Sequence, residues 1–153
     1  MEKNLEIYFD GQDKNTKLIH AIGLLWGQIS SKLDEVLAPA KLNISKFNIL
    51  MIIKHVGGYD GIQQNEISKR LLVTASNITK LLDKLEKDGL ITRNTKKGDR
   101  RVKLIRITDY GSKTLDKIWP KYLKITKKIT SHIASVDADY VELVLVDWLT
   151  NIK

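Results

Sequence analysis

Hydrophobic and polar positions recur along this 153-residue chain in a pattern that predicts a mainly helical protein. Apolar residues at positions 18, 22, 25, 29, 33 and 36 are spaced by three or four, which marks one face of an amphipathic helix ending near Pro39. A second helix is predicted to begin near Ser45, a candidate N-cap, and to stop at Gly57 and Gly58. Its apolar body, Phe47 to Ile53, indicates that this helix is largely buried.

Two shorter helices follow with a tight joint, Leu72 to Thr74, between them. The stretch "QNEISKRLLV" predicts the third helix, and "TASNITKLLDKLEKDG" predicts the fourth, with Thr74 near its start and Gly89 near its end. Two helices joined by so short a turn are typical of a helix-turn-helix.

The fourth helix has an apolar face and a polar face. At 100° per residue the apolar residues Ile78, Leu81, Leu82 and Leu85 share one side, whereas Ser76, Lys80 and Asp83 lie opposite and Asn77, Thr79 and Lys84 lie on the flanks. Small polar side chains near the start of such a helix suit the reading of base edges in the DNA major groove. They suit a solvated helix face with a polar cap equally well, and this helix alone leaves both interpretations open.

A hairpin is predicted directly after the helix-turn-helix. The stretches "LITRNT" and "VKLIRIT" are rich in β-branched residues and flank the polar turn "KKGDRR". The sequence "VKLI" leaves open which face of the second strand is buried. A hairpin in this place is a wing, so the predicted fold is mainly α with a small β-hairpin wing, a winged helix-turn-helix.

Positive charge is concentrated in the same hairpin. The chain has a formal net charge of +8, and residues 89–108 account for +6 of it, with a single acid, Asp99, and seven bases. These bases are Arg93, Lys96, Lys97, Arg100, Arg101, Lys103 and Arg106. Long basic side chains on a wing would reach phosphates and enter the minor groove. Lysines also protect exposed strands from aggregation, but that role does not account for two arginines behind an aspartate at a hairpin tip.

Two further amphipathic helices are predicted at the C-terminal end. Asp109 is a candidate cap for a fifth helix with apolar positions at 115, 118, 122, 125 and 129, which Pro120 should kink or break. Asp137 is a candidate cap for a sixth, in which Val141, Leu145, Trp148 and Ile152 share a face. These apolar stripes can pack within one chain or against a second copy, and the sequence alone leaves both open.

Several function classes are excluded or disfavoured by composition. The chain has no cysteine, which excludes disulfides, thiolate metal sites and cysteine nucleophiles. His20, His55 and His132 have no helical ligand spacing, so neither a metal site nor a cofactor is expected. The chain also lacks a glycine-rich phosphate loop, a nucleophile elbow and paired carboxylates, which argues against an enzyme. With no export signal or membrane span visible, a cytoplasmic protein is expected.

The segment "NEISKRLLVTASNITKLLDKLEKDGLITRNTKKGDRRVKLIRITDYG" resembles the core of the multiple-antibiotic-resistance regulator (MarR) family. In that family the wing carries an Asp-x-Arg motif followed by an apolar residue, a threonine and a nearby glycine. The matching residues here are Asp99, Arg101, Ile107, Thr108 and Gly111. With the flanking helices the resemblance extends from about residue 17 to residue 152. It implies a regulator of transcription that binds double-stranded DNA as a homodimer on a pseudo-palindromic operator, by family default as a repressor.

The resemblance also implies roles for particular residues. In the wing, Arg101 would enter the minor groove, Asp99 would hold it in place, and Lys97 and Arg100 would contact phosphates. In the recognition helix, predicted over residues 74–88, the residues nearest the bases would be Ser76, Asn77, Thr79 and Lys80, whereas Ile67, Leu71, Ile78 and Leu82 would belong to the core. Which bases are read stays open, because Thr79 and Lys80 stand where relatives often have a single basic reader.

The same resemblance implies which segments of the chain form the dimer and which bind DNA. Residues 15–38 and 109–153 would form a helical dimerisation region, and residues 45–108 the DNA-binding lobe. Family members often respond to small aromatic or phenolic anions, for which His20, Trp26 and Tyr110 are candidate contacts here. The alternative function is a winged-helix module for protein docking or for non-specific nucleic-acid binding.

Overall fold

The computed structural model of the protein describes residues 9–71, 75–96 and 99–152. The elements follow in the order α1 (Lys14–Leu37), a 3-10 turn (Ala38–Ala40), α2 (Ile44–Ile52), a π-helical turn (Ile53–Gly57), β1 (Ile62–Gln63), α3 (Gln64–Leu71), α4 (Ala75–Lys87), β2 (Ile91–Lys96), β3 (Asp99–Ile107), α5 (Asp109–Thr130) and α6 (Ser135–Asn151). The predicted architecture, helical with a hairpin wing behind a helix-turn-helix, is confirmed. The predicted joint at residues 72–74 lies outside the described residues.

The core fills the space between α2, α3, α4, the sheet and the first half of α5. Its members are fully or almost fully buried aliphatic side chains together with one aromatic ring, and they include Phe47, Ile49, Leu50, Ile53, Ile67, Ile78, Leu82, Leu85, Ile91, Ile105, Leu115 and Ile118. The prediction that Ile67, Ile78 and Leu82 are core residues is confirmed, and Leu71 packs against the cluster while partly buried. This core fixes the helix-turn-helix and the wing in one lobe.

The sheet has a third strand that the sequence did not predict. β3 lies in the centre and pairs antiparallel with both β2 and the two-residue strand β1 (Ile62–Gln63). Two residues are too few to show the alternation by which a strand is recognised in a sequence. The open question about "VKLI" is also resolved, because Ile105 points into the core whereas Leu104 is only partly buried.

Three predicted helix caps differ from those in the structure. Asn43, not Ser45, caps α2, and its side chain accepts a hydrogen bond from the Lys46 amide at 2.9 Å. Thr108, not Asp109, caps α5, and α6 starts after Ala134, which makes no side-chain cap, so that Asp137 lies inside the first turn. In each case the helix begins one to three residues before the predicted position.

Helix α5 continues through Pro120 without a break. Proline removes one backbone hydrogen bond from the helix interior. Here Leu115 and Ile118 before the proline are buried in the core, and Tyr122 after it packs against the same core. Tertiary packing on both sides therefore holds the helix together, and the part of the prediction that allowed a break is wrong.

The outer helices α1 and α6 keep most of their apolar side chains at the surface of the protomer. In α1 only Leu33 and Leu37 are buried, and in α6 no residue is buried. Among the described residues no single helix is long and apolar enough to cross a bilayer. The pair formed by residues 14–40 and 44–57 passes that test only when taken together, and it is bent by 72° at the junction.

Candidate nucleic-acid interface

Helix α4 presents one buried face and one exposed polar face. Ile78, Leu82 and Leu85 have no solvent exposure. On the other side of the helix the exposed residues include the four that were predicted to lie nearest the bases: Ser76, Asn77, Thr79 and Lys80. The structure therefore brings these four side chains together on one accessible surface. Such a surface can enter a major groove because no apolar side chain has to leave the core.

The end of α4 is joined tightly to the start of α5. Gly89 ends α4 in a left-handed conformation (φ +73°), and its amide donates to the Glu86 carbonyl at 2.9 Å. The Thr108 hydroxyl donates to the Gly89 carbonyl at 2.7 Å and accepts from the Gly111 amide at 2.9 Å. This joint holds both ends of the wing next to the C-terminal end of α4.

Gly111 is required at this joint by close packing. A Cβ atom placed there would lie 2.2 Å from the Leu90 carbonyl oxygen, far inside van der Waals contact. The same carbonyl accepts from the Thr108 amide at 3.0 Å, so it cannot move aside without loss of a hydrogen bond. The threonine and glycine of the family motif therefore have a structural reason in this chain.

An ion pair connects the wing to helix α4. Arg93 in β2 places its Nη1 atom 2.6 Å from Oδ1 of Asp83 and 3.6 Å from Oε2 of Glu86, both on α4. In the sequence, Arg93 counted only as part of the positive charge of the hairpin. No local pattern indicated this contact, because its partners lie on another element and come close only after folding.

A second basic residue of the hairpin also has a structural contact. Arg106 in β3 donates from Nε to the Tyr59 carbonyl and from Nη2 to the Asp60 carbonyl, both at 2.9 Å. These bonds hold the loop that leads into β1. Arg93 and Arg106 are thus engaged within the lobe, and the charge that the wing offers to a partner is smaller than the +6 of its sequence.

The two strands of the wing extend further towards its tip than the sequence suggested. β2 runs to Lys96 and β3 begins at Asp99, and these two residues pair after an irregularity between Thr95 and Lys96. The backbone therefore places Asp99, Arg100 and Arg101 at the outer end of the hairpin. Lys97, predicted to contact phosphate, lies outside the described residues.

The three candidate effector contacts do not line the groove that the described residues form beside α1. His20 bonds through Nδ1 to Gln12 Oε1 at 2.9 Å, and Trp26 and Tyr110 are more than half exposed. A groove of about 1050 Å³ does lie between α1 and the C-terminal end of α5, lined mainly by apolar side chains such as Leu25 and Ile129. None of the three candidates lines it. Within the described residues no group of three or more His, Asp or Glu side chains could hold a metal ion.

The lobe is attached to α5 by an aromatic stack. Phe47 of α2 packs against two rings of α5, with centroids 4.5 Å from Tyr122 and 6.3 Å from Trp119, and Trp119 and Tyr122 stack on each other at 5.6 Å. Burial raises the pKa of the Tyr122 phenol above its usual value. An ion pair between Lys54 and Asp116, 2.6 Å apart, adds a second connection between lobe and helix.

Comparison with known proteins matches part of the chain to one family. Residues 42–103 match the family model of the MarR family. The HTH-type transcriptional regulator PecS of Dickeya dadantii is 27% identical over 117 residues, which cover 76% of this chain and 70% of PecS. The relatives with assigned names are transcriptional regulators rather than enzymes, in agreement with the expectation from the sequence.

Solved structures agree over almost the whole chain. A mutant MarR from E. coli complexed with operator DNA superposes with a TM-score of 0.81 at 21% identity, covering 90% of this chain and 99% of that one. CouR from Rhodococcus jostii, bound to p-coumaroyl-CoA, superposes with a TM-score of 0.74 at 21% identity, covering 92% and 94% of the two chains. The likeness includes the outer helices as well as the lobe.

Proposed function

Because the chain carries a MarR-family domain over residues 42–103, we propose that it is a sequence-specific regulator of transcription that binds double-stranded DNA. It acts in the cytoplasm as a homodimer on a pseudo-palindromic operator and represses transcription by occupying that operator. Residues 45–108 are the DNA-binding lobe, and residues 15–38 and 109–153 are the dimerisation region.

The observation that carries this proposal is the exposed polar face of α4 beside a wing that is braced to the same helix. Ser76, Asn77, Thr79 and Lys80 supply donors and acceptors for base edges. At the wing tip Arg101 enters the minor groove and Asp99 holds it, while Arg100 and Lys97 contact phosphates. A module that docks proteins has no need of this combination.

The homodimer is supported by the apolar surface of the outer helices. Most of the large aliphatic side chains of α6 are exposed in the protomer, among them Leu143, Leu145 and Leu149. So large an apolar surface is unusual for a monomer and marks an interface. A two-fold dimer places two recognition helices about one DNA turn, roughly 34–36 Å, apart, which suits inverted half-sites.

A small aromatic or phenolic anion would release the operator. The groove between α1 and α5 is a better candidate position than His20, Trp26 and Tyr110, because it offers apolar walls together with Lys32 and Lys128 for a negative charge. Such a ligand acts only if it binds the DNA-competent and incompetent arrangements of the lobes with different affinity.

The test is an in vitro selection from a randomised duplex library, combined with binding to the DNA upstream of the protein's own gene. We expect an enriched motif with inverted half-sites whose centres are about 10 bp apart. Binding that ignores sequence and collapses between low and moderate salt would contradict the proposal and favour the rival, a winged-helix module for protein docking or non-specific nucleic-acid binding.

A further inference from the structure

We propose that Gln64, which lies outside the recognition helix, is a specificity-determining residue that reads the operator as one unit with Thr79. The proposal rests on the proposed function and names a further residue of the same interface. Gln64 is the first residue of α3, and its Nε2 atom donates to the Thr79 hydroxyl oxygen of α4 at 2.7 Å. The contact joins the two helices of the helix-turn-helix on the side where α4 is exposed.

The position of Gln64 relative to α4 is fixed by packing. Ile67, one turn further along α3, is fully buried in the same core cluster as Ile78 and Leu82 of α4. The Gln64 carbonyl also accepts from the Ser68 hydroxyl at 3.1 Å, which holds the first turn of α3. The Gln64 carboxamide therefore stands beside Thr79 before any DNA arrives, and little side-chain entropy is lost on binding.

The Gln64 carboxamide retains hydrogen-bonding capacity beyond its contact with Thr79. A glutamine offers two N–H donors and an oxygen with two lone pairs, and the bond to Thr79 uses one donor. Among the described residues the side chain of Gln64 has no other hydrogen bond. A donor and an acceptor on one planar group complement the major-groove edge of adenine, and the methyl group of Thr79 suits the methyl group of a neighbouring thymine.

The hydrogen bonds at the start of α3 argue against a role for the Gln64 side chain in capping that helix. The cap-like bond at the start of α3 is made by Asn65, whose side chain accepts from the Glu66 amide at 2.9 Å. The carboxamide of Gln64 instead crosses to another helix. Gln63, the adjacent residue in β1, is exposed and has the same side chain, which makes it a matched control.

The experiment compares operator selection and equilibrium binding for the wild type and for Gln64→Ala, Gln64→Glu, Thr79→Val, the Gln64→Ala/Thr79→Val double variant and Gln63→Ala. We expect Gln64→Ala and Thr79→Val to lose discrimination at the same base pairs in each half-site, on the order of 10-fold per position. The double variant should lose much less than the product of the two single losses, because the pair acts as a unit. Gln64→Glu, which keeps an acceptor but removes the donors, should resemble Gln64→Ala. Gln63→Ala should keep the wild-type preference.

The proposal is overturned if Gln64→Ala weakens binding equally on the operator, on its single-base variants and on scrambled DNA, or if the losses of the two single variants multiply. Thermal unfolding of each variant separates a loss of recognition from a loss of fold. If the wild type enriches no sequence, the proposed function itself fails, and the claim for Gln64 fails with it. If the wild type enriches a motif that Gln64→Ala reads unchanged, only the claim for Gln64 fails.

Discussion

Arg93 and Asp83 form an ion pair in which one partner is mostly buried and the other is mostly exposed. Nη1 of Arg93 lies 2.6 Å from Oδ1 of Asp83, while the side chains are 19% and 56% exposed. Nε and Nη2 of Arg93 are buried and have no hydrogen-bond partner within the described part of the chain. The guanidinium group has lost most of its hydration, so the stabilisation of its positive charge depends on the two carboxylates of α4.

This asymmetry predicts that removing the acids costs more stability than removing the base. Asp83→Asn combined with Glu86→Gln leaves a largely buried cation without a charged partner, and we expect a loss of about 1 to 3 kcal/mol in the free energy of unfolding. Arg93→Met removes the two unpaired donors and keeps the aliphatic packing, and it should cost less than about 1 kcal/mol. Urea denaturation measures the free energy of unfolding of both variants. A larger loss for Arg93→Met than for the double variant would contradict this account.

Gly111→Ala should destabilise the joint between the wing and α5. The added methyl group would meet the Leu90 carbonyl oxygen at 2.2 Å, and relief requires α5 to shift away from the end of α4. We expect a loss of at least about 2 kcal/mol, measured by chemical denaturation. Gly23→Ala in α1 is the control, because a Cβ atom there meets nothing within 4 Å, and it should leave stability unchanged or raise it slightly. Equal effects of the two changes would show that packing at Leu90 is not the cause.

Patterns that extend over many residues predicted the fold. Apolar positions that share one helix face located α1, α4, α5 and α6, and a candidate cap with glycine stops located α2. Ile67, Ile78 and Leu82 were correctly assigned to the buried faces of α3 and α4. The wing was visible because β-branched runs flank a charged turn. These features depend on the burial of many side chains along one element, and the spacing of apolar residues in a single sequence indicates that burial directly.

Features that depend on one contact between distant residues were not predictable. The cap of α5 was assigned to Asp109, although the Thr108 hydroxyl makes that bond and also reaches the Gly89 carbonyl, nineteen residues away. β1 was missed because it is defined only by its pairing with β3. Arg93 and Arg106 were counted as surface charge because their partners are close to them only after folding.

Replacement of Arg101 tests the assigned role of the wing tip. Arg101→Ala should weaken binding to the selected operator by about 1 to 3 kcal/mol and reduce preference for A·T base pairs beneath the wing. Lys103→Ala, which removes an exposed base from the same strand, should lower affinity by a similar factor on all sequences, with little change in preference. Fluorescence anisotropy on operator and scrambled duplexes distinguishes the sequence-dependent loss of affinity from the sequence-independent one. Unchanged operator affinity of Arg101→Ala would count against minor-groove insertion.

A charge on the apolar surface of α6 should prevent dimerisation. Leu145 is 45% exposed in the protomer, and Leu145→Glu would bury a carboxylate if a second copy covers it. We expect sedimentation equilibrium to show a weakened dimer and a corresponding loss of operator affinity. Thr150→Glu adds the same charge to an exposed polar position of α6 and serves as the control. A stable dimer of Leu145→Glu would place the interface elsewhere.

The raised pKa of Tyr122 predicts a loss of stability in alkali. Burial beside Phe47 and Trp119 disfavours the phenolate, so the folded protein keeps the proton at pH values where the unfolded phenol, with a pKa near 10.0, releases it. The unfolded state therefore binds fewer protons above that pH, and the free energy of unfolding falls as pH rises through 10 towards the pKa of the folded state. Tyr122→Phe keeps the ring stack and lacks the titrating group. Urea denaturation between about pH 8 and pH 11 measures the free energy of unfolding of wild type and variant. The difference between the two values should be constant near pH 8, and above pH 10 the wild type should lose stability relative to the variant. All other ionisable groups are the same in both proteins and cancel in the difference, so a difference that stays constant over the whole range would mean that Tyr122 ionises as freely in the folded state as in the unfolded chain.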